Sequence, residues 1–297
     1  MIRHLFEGRT RDLGGFSVRR VLPAMEQRMV GPFVFLDHMG PVDLPPGPTI
    51  NVRPHPHIGL ATVTYLFSGE MLHRDSLGSL QEVHAGDVNW MTAGRGIVHS
   101  ERSTPRALAD GMHLHGLQSW VALPDGEEDV EPAFSHHPAA TLPLIETPSG
   151  ARLRIVAGEA FGRRSPVTTH WPTLYVDAAM PAGSSFELQA EHEERALYVA
   201  SGSLGVESQA DGAARNVLAL QMAVLEPGVT AAVTADENSR VMLLGGKAFA
   251  APRQLYWNFV ASSRERLDRA KAAWAAQDPA RFPKVPGDDV EFIPLPD

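Results

Sequence analysis

Short β-rich runs, each closed by Gly or Pro and repeated along the whole chain, limit what this sequence can fold into. "ATVTYLFSG" (61–69), "GDVNWMTAG" (86–94) and "HLHGLQSWVAL" (113–123) are β-branched, aromatic or alternating, and residues 14–38 read as further short strands with turns. From residue 151 the same grammar restarts with "ARLRIVAGEA", "PTLYVDAAM", "RALYVASGSLGV", "NVLALQMAVLEPG" and "VMLLGG". The 26 glycines and 24 prolines supply enough turn formers to close that many hairpins. The two halves also echo each other: "TYLFSGE" (64–70) resembles "LYVASGS" (197–203), and "VNWMTAG" (88–94) resembles "AVLEPG" (223–228) in pattern. An all-β chain of two tandem antiparallel barrels fits this better than one large sheet. The boundary is expected near "TPSG", giving domains 1–147 and 148–297. One long helix is expected over 264–277, capped by Ser262 or Ser263 and stopped by Pro279, with a proline-rich tail lying extended over the surface.

Composition removes several functional classes. The chain has no cysteine, which excludes disulfides, iron–sulfur clusters and thiol catalysis, so a metal would have to be held by His, Asp or Glu. A net charge of -9, with Lys and Arg dispersed, disfavours direct nucleic-acid binding. The N-terminal "MIRHLFEGRTRDLGG" is charged throughout and is no secretory signal. No apolar run approaches the roughly 20 residues a bilayer span needs. A soluble, cytoplasmic protein with no membrane partner is expected.

Against that background, "NVRPHPHIGLATVTYLFSGE" (51–70) stands out, because His55 and His57 sit two residues apart at the start of a β-rich run. Taken alone, such a pair in a proline-rich segment is ordinarily an exposed polar loop. A second pair in the same half, His99 and Glu101 of "GRGIVHSE" (94–101), changes the balance. Residues i and i+2 of a strand share a face. If the two segments are neighbours with those faces inward, three imidazoles and one carboxylate converge. That set offsets one unit of a divalent charge and leaves coordination positions open, as a catalytic metal site requires. The glycines of "TAGRG" lack a following helix and the usual Lys, and read as a turn rather than a phosphate loop.

"RPHPHIGLATVTYLFSGEMLHRDSLG", "GDVNWMTAGRGIVHSE" and "HGLQSWVALP", with "VGPFVFLDHMGP" (30–41), resemble the pirin family of the cupin superfamily. The resemblance is strong over residues 1–125 and looser beyond. It implies a bicupin: two cupin (jelly-roll) barrels and a C-terminal helix, with one metal in the first barrel, usually iron, held by His55, His57, His99 and Glu101. Some pirins are similar in activity to quercetin 2,3-dioxygenase, which opens a flavonol ring with dioxygen and releases carbon monoxide. Others are regulators that bind protein partners, the metal serving as a redox-sensitive element. The enzyme reading takes a small flavonol-like aromatic substrate and O2; the regulatory reading takes a protein partner; both need the same ligands. Cupins commonly carry a Glu a few residues after His-x-His, whereas here "IGLAT" follows and Glu101 comes from the second motif, as in the pirin pattern.

Aligning the halves puts Leu188 and Ala190 where His55 and His57 stand, and Val233 and Ala235 where His99 and Glu101 stand, so the second barrel is expected to be apolar inside and to lack metal ligands. A register slip would bring Gln189 and Glu191 inward instead, still without a histidine pair. The donors suit Fe2+, Mn2+, Co2+, Ni2+ or Cu2+, with Zn2+ a further alternative and copper favoured on affinity alone; it is the resemblance that puts iron first. Glu101 is the candidate general base for a substrate hydroxyl. Gln118 and His115 are candidates to support the ligands: simple alternation sets them on opposite faces, and a bulge at Gly116 would turn Gln118 inward. Met91 and Trp90 read as cavity lining or plain core, His136 and His137 as a linker, His192 as solvated in a charged loop, and His73 and His84 as exposed beside a hairpin.

Overall fold

The computed structural model describes residues 2–12, 17–208 and 212–296, so residues 14–16 of the first expected strand-and-turn segment lie outside it. The described chain is built mainly from antiparallel strands, with α-helices at Pro105–Asp110 and Arg264–Ala275. The expected strands are present as Leu60–Ser68, Val88–Thr92, Met112–Ala122, Arg152–Ala160, Thr173–Met180, Glu194–Ser201, Ser203–Ser208 and Ser239–Gly246. "NVLALQMAVLEPG" is two strands, Ala214–Leu218 and Gln221–Leu225, broken where Leu220 takes a positive φ of 69°.

The chain forms two compact units, and neither is a continuous half. One comprises Met1–Arg9, Arg20–Val34 and Ala140–Phe249; the other comprises Thr10–Arg19, Phe35–Ala139 and Ala250–Asp297. A single cut near residue 147 therefore misplaces both ends of the chain. Ile2–Glu7 pairs with Gln221–Leu225 as an edge strand of the unit built around 140–249. The late helix belongs with Phe35–Ala139, because its buried face of Leu267, Ala270 and Trp274 packs with Ile58, Val98 and Phe259. Burial of that apolar stripe decides which unit the helix joins, and composition along the chain cannot register it.

In the 140–249 unit a large sheet and a four-stranded sheet (Ser185–Leu188, Ala231–Ala235, Ser203–Ser208, Ala214–Leu218) enclose an apolar core. Leu188, Val233 and Ala235, the positions that align with His55, His99 and Glu101, are buried members of that core.

The other unit faces two sheets as well. The smaller runs in the order Asn51–His57, Ile97–Arg102, Glu70–Asp75, Leu80–His84. The larger places Ala133–His137, Val88–Thr92, Leu60–Ser68 and Met112–Ala122 side by side. His136 and His137 are thus part of a strand rather than a linker, held by pairing with Val88–Thr92.

The helix follows its sequence signals closely. Ser263 caps it, its side chain accepting from the Arg266 N–H at 3.4 Å. The tail lacks regular structure but is packed along part of its length: Phe282 and Val285 are buried, and the Ile293 N–H donates to the Pro54 carbonyl at 2.8 Å.

Candidate metal centre

Asn51–His57 pairs antiparallel with Ile97–Arg102, so His55 lies opposite His99 and His57 opposite Ile97. The strand ends at Ile58–Gly59, where the backbone turns beneath the C-terminal hairpin. Gly59 has φ +67°, and a Cβ there would stand 2.1 Å from the Val260 carbonyl oxygen, so only glycine fits.

His55, His57 and His99 each offer a nitrogen within 4.8 Å of the other two, and all three side chains are buried. The far nitrogen of each ring is held. His55 Nδ1 donates to the Arg53 carbonyl at 2.8 Å, and His57 Nδ1 to the Asn258 carbonyl at 3.1 Å. His99 Nδ1 meets His73 Nδ1 at 3.5 Å, and His73 Nε2 donates to Asp75 Oδ2 at 2.9 Å. Asp75 is anchored in turn by the Leu77 and Ser79 N–H groups on its Oδ1.

With the Nδ1 atoms so engaged, the Nε2 atoms carry lone pairs, and those of His57 and His99 face each other at 3.1 Å. Two lone pairs at that distance repel unless a cation lies between them. The spacing is what two nitrogens about 2.1 Å from one ion have when set at nearly right angles around it. Burial keeps the rings neutral: it lowers His55 to about 4, the Arg53 carbonyl opposing it, and lowers His57 and His99 well below the ordinary value, the neighbouring imidazoles adding to the effect. Buried, neutral and pre-oriented imidazoles are the donor set that a transition metal requires, and the residues present fit one.

Glu101 lies one step further along the same strand, opposite His73 and Val52, beyond a register shift between His99 and Glu101. Its carboxyl is outside the set of donor atoms within 4.8 Å of one another. Burial pushes it up to about 7. The structure therefore brings the three histidines together and leaves the carboxyl one row away.

Of the supporting candidates, Gln118 accepts a hydrogen bond from Thr64 Oγ1 at 2.9 Å, and the register of its strand shifts between His115 and Gly116. His115 faces His38, Nε2 to Nε2 at 2.8 Å, and packs on Phe67. Met91 and Trp90 are both buried. His192 contacts the Glu159 carbonyl, and His84 is exposed.

His73 corrects the sequence reading. It is 5% exposed, stacked on Phe134 at 4.4 Å and seated behind His99. His73 and Asp75 repeat the two-residue spacing of His55/His57 and His99/Glu101, so the signal was present in "HRD" (73–75). Asn258 carried no such signal: its backbone carbonyl, which any residue would supply, arrives from 201 positions away.

A double-sheet unit with a buried three-imidazole cluster, paired with a second unit of similar strand grammar and apolar core, defines a tandem cupin. Comparison with known proteins makes the assignment specific. Residues 15–121 match the pirin family and residues 175–280 the pirin C-terminal cupin domain. A pirin-like protein of Caulobacter vibrioides is 49% identical over 301 residues, covering 100% of both chains. A Pseudomonas aeruginosa protein named "Putative quercetin 2,3-dioxygenase" is 41% identical, covering 92% of this chain and 82% of its own. The crystal structure of quercetin 2,3-dioxygenase from Acinetobacter baumannii superimposes with a TM-score of 0.89 at 34% identity, covering 99% of this chain and 95% of that one. The chain belongs to the pirin family.

Proposed function

We propose that the protein is a metal-dependent dioxygenase of quercetinase type, opening a flavonol-like ring with O2. The observation that carries this reading is the convergence of three buried, neutral imidazoles whose outer nitrogens are already held. Kinship with proteins bearing the quercetin 2,3-dioxygenase name supports it. Iron(II) is the proposed ion, with His55, His57 and His99 as ligands and Glu101 as the fourth. Bound there, a divalent transition metal supplies Lewis acidity that lowers the pKa of an enolic hydroxyl and the redox activity that dioxygen chemistry needs.

The rest falls to the chain. Glu101, its carboxyl buried two residues along the strand from His99, is the proposed general base for the substrate hydroxyl. Trp120, set edge-on to His57 at 5.1 Å, and Phe134, stacked on His73, give a planar aromatic substrate apolar walls beside the ligands. Their burial also keeps bulk water from the deprotonated substrate.

The test is to load the purified protein with Fe2+, add quercetin in air, and follow loss of the flavonol absorbance together with carbon monoxide release. Turnover that disappears with chelation is expected. Absence of both signals, beside a working quercetinase control, removes the reading.

A further inference from the structure

Across the larger sheet of the metal-binding unit, residues align in rows. Pairing sets Phe134 opposite Met91, Met91 opposite Thr62, and Thr62 opposite Trp120. The two ends of this row touch His73 and His57, so this face of the sheet looks onto the imidazole cluster. Two residues further along each strand, on the same face, stands a second row: His136, Asn89, Thr64 and Gln118. Between the two rows, on the other face, stand Ser135, Trp90, Val63 and Ser119, of which Trp90, Val63 and Ser119 are buried.

The second row is polar in a place where the 140–249 unit is filled by aliphatic side chains. Its internal bonds also give it a direction. His136 Nδ1 donates to Asn89 Oδ1 at 2.7 Å, and Thr64 Oγ1 donates to Gln118 Oε1 at 2.9 Å. Both amide oxygens are thereby taken by neighbours, which turns both NH2 groups away from them. Asn89 is 3% exposed, yet its Nδ2 has no hydrogen-bond partner. A buried amide donor left unpaired costs free energy unless something completes it. The row lies roughly 7 Å along the strands from the aromatic row beside the metal ligands.

We infer that Asn89 is a specificity-determining residue, its Nδ2 donating to an oxygen acceptor of a planar ligand whose other end lies at the imidazole cluster, with Thr64 and His136 holding the two amides in register. The donors are uncharged, so the row suits the carbonyl and phenolic oxygens of a polyphenol better than a carboxylate or phosphate. This rests on the oxygenase reading for the identity of the ligand, but it concerns binding and is separable from turnover.

Asn89→Asp decides it. The substitution keeps the shape and the acceptor that His136 uses, and exchanges the free donor for a second acceptor. Quercetin affinity is measured anaerobically on Fe2+-loaded protein by quenching of tryptophan fluorescence, with metal content and melting temperature recorded alongside. The expected result is a Kd raised about tenfold or more in protein that remains folded and holds one metal per chain. Asn89→Leu, which removes the donor without adding charge, should weaken binding similarly. A Kd within twofold of wild type in folded, metal-loaded Asn89→Asp assigns the free amide to water and overturns the inference, even if quercetin is turned over. Wild-type protein that binds quercetin Asn89-dependently without consuming it leaves the inference standing and removes the oxygenase reading. Failure of the wild type to bind quercetin at all overturns both.

Discussion

A histidine offers a metal one nitrogen in a fixed direction only when its other nitrogen is held, and each of the three imidazoles here is held differently. His55 uses a carbonyl two residues away, His57 one from the C-terminal hairpin, and His99 the His73–Asp75 pair. Burial alone would raise the Asp75 carboxyl, but hydrogen bonds from His73 and Ser79 bring it below its ordinary value and keep it an anion. Asp75→Asn should therefore leave the ligands in place and weaken metal binding about 10- to 100-fold, as loss of an orienting partner does. His57→Ala should abolish stoichiometric metal. Elemental analysis and competitive chelator titration of the two variants check both outcomes, and full metal content in His57→Ala would dissociate these residues from any ion. The three clustered histidines were legible because strand alternation turns a two-residue spacing into a shared face. Asn258 was not legible, because what it contributes is backbone.

At the scale of elements, the late helix and tail act as a brace on the strand that carries His55 and His57. Trp274 is 3% exposed, its Nε1 donates to the Ile293 carbonyl at 3.0 Å, and Ile293 reaches back to Pro54. Trp274→Ala should cost about 3–5 kcal/mol, the range for truncating a large buried aromatic, whereas Ser263→Ala at the cap should cost about 1 kcal/mol. Chemical denaturation of both variants measures the contrast; equal losses would mean that the helix is held by its cap and not by its packed face. The tail is also tied by charge, Arg102 contacting Asp288 at 2.8 Å and Glu291 at 3.0 Å. Burial would raise Asp288, but hydrogen bonds from Arg102 hold it below its ordinary value of 3.8. A carboxyl depressed in the folded state stabilises fully above its unfolded pKa and stops doing so as pH falls through the folded one. Proteolytic release of the tail should thus rise as the pH drops below 3.8, and Asp288→Asn should be released already at neutral pH. The sequence placed this helix accurately from its cap and its residue types. The partners of its buried face, Ile58, Val98 and Phe259, follow from no local rule.

At the scale of the molecule, two units of similar strand grammar have opposite interiors. The 140–249 unit is packed largely with aliphatic side chains, while in the other the imidazoles of one sheet meet Trp120 and Phe134 of the facing sheet. A metal bound by His55, His57 and His99 would stabilise the second of these by mass action and leave the first unaffected. Chelation should therefore speed amide exchange in Asn51–His57 and Ile97–Arg102 while Glu194–Ser201 and Ser239–Gly246 stay protected. Uniform acceleration in both units would show that the metal reports on global stability instead. The sequence by itself determined the strand content, the two-fold repetition, the late helix and the three histidines that meet, because each is written in spacings of a few residues that alternation, turn chemistry and capping convert directly into local geometry. Only the tertiary structure decided that the N-terminal strand and the C-terminal helix each join the unit distant from them in sequence, that His73 lies buried behind His99, and that Asn89 is buried with its Nδ2 unpartnered. Those outcomes depend on which faces and strand edges find partners tens to hundreds of residues apart, and the free energy of that burial is a property of the assembled surfaces, carried by no short segment of the chain.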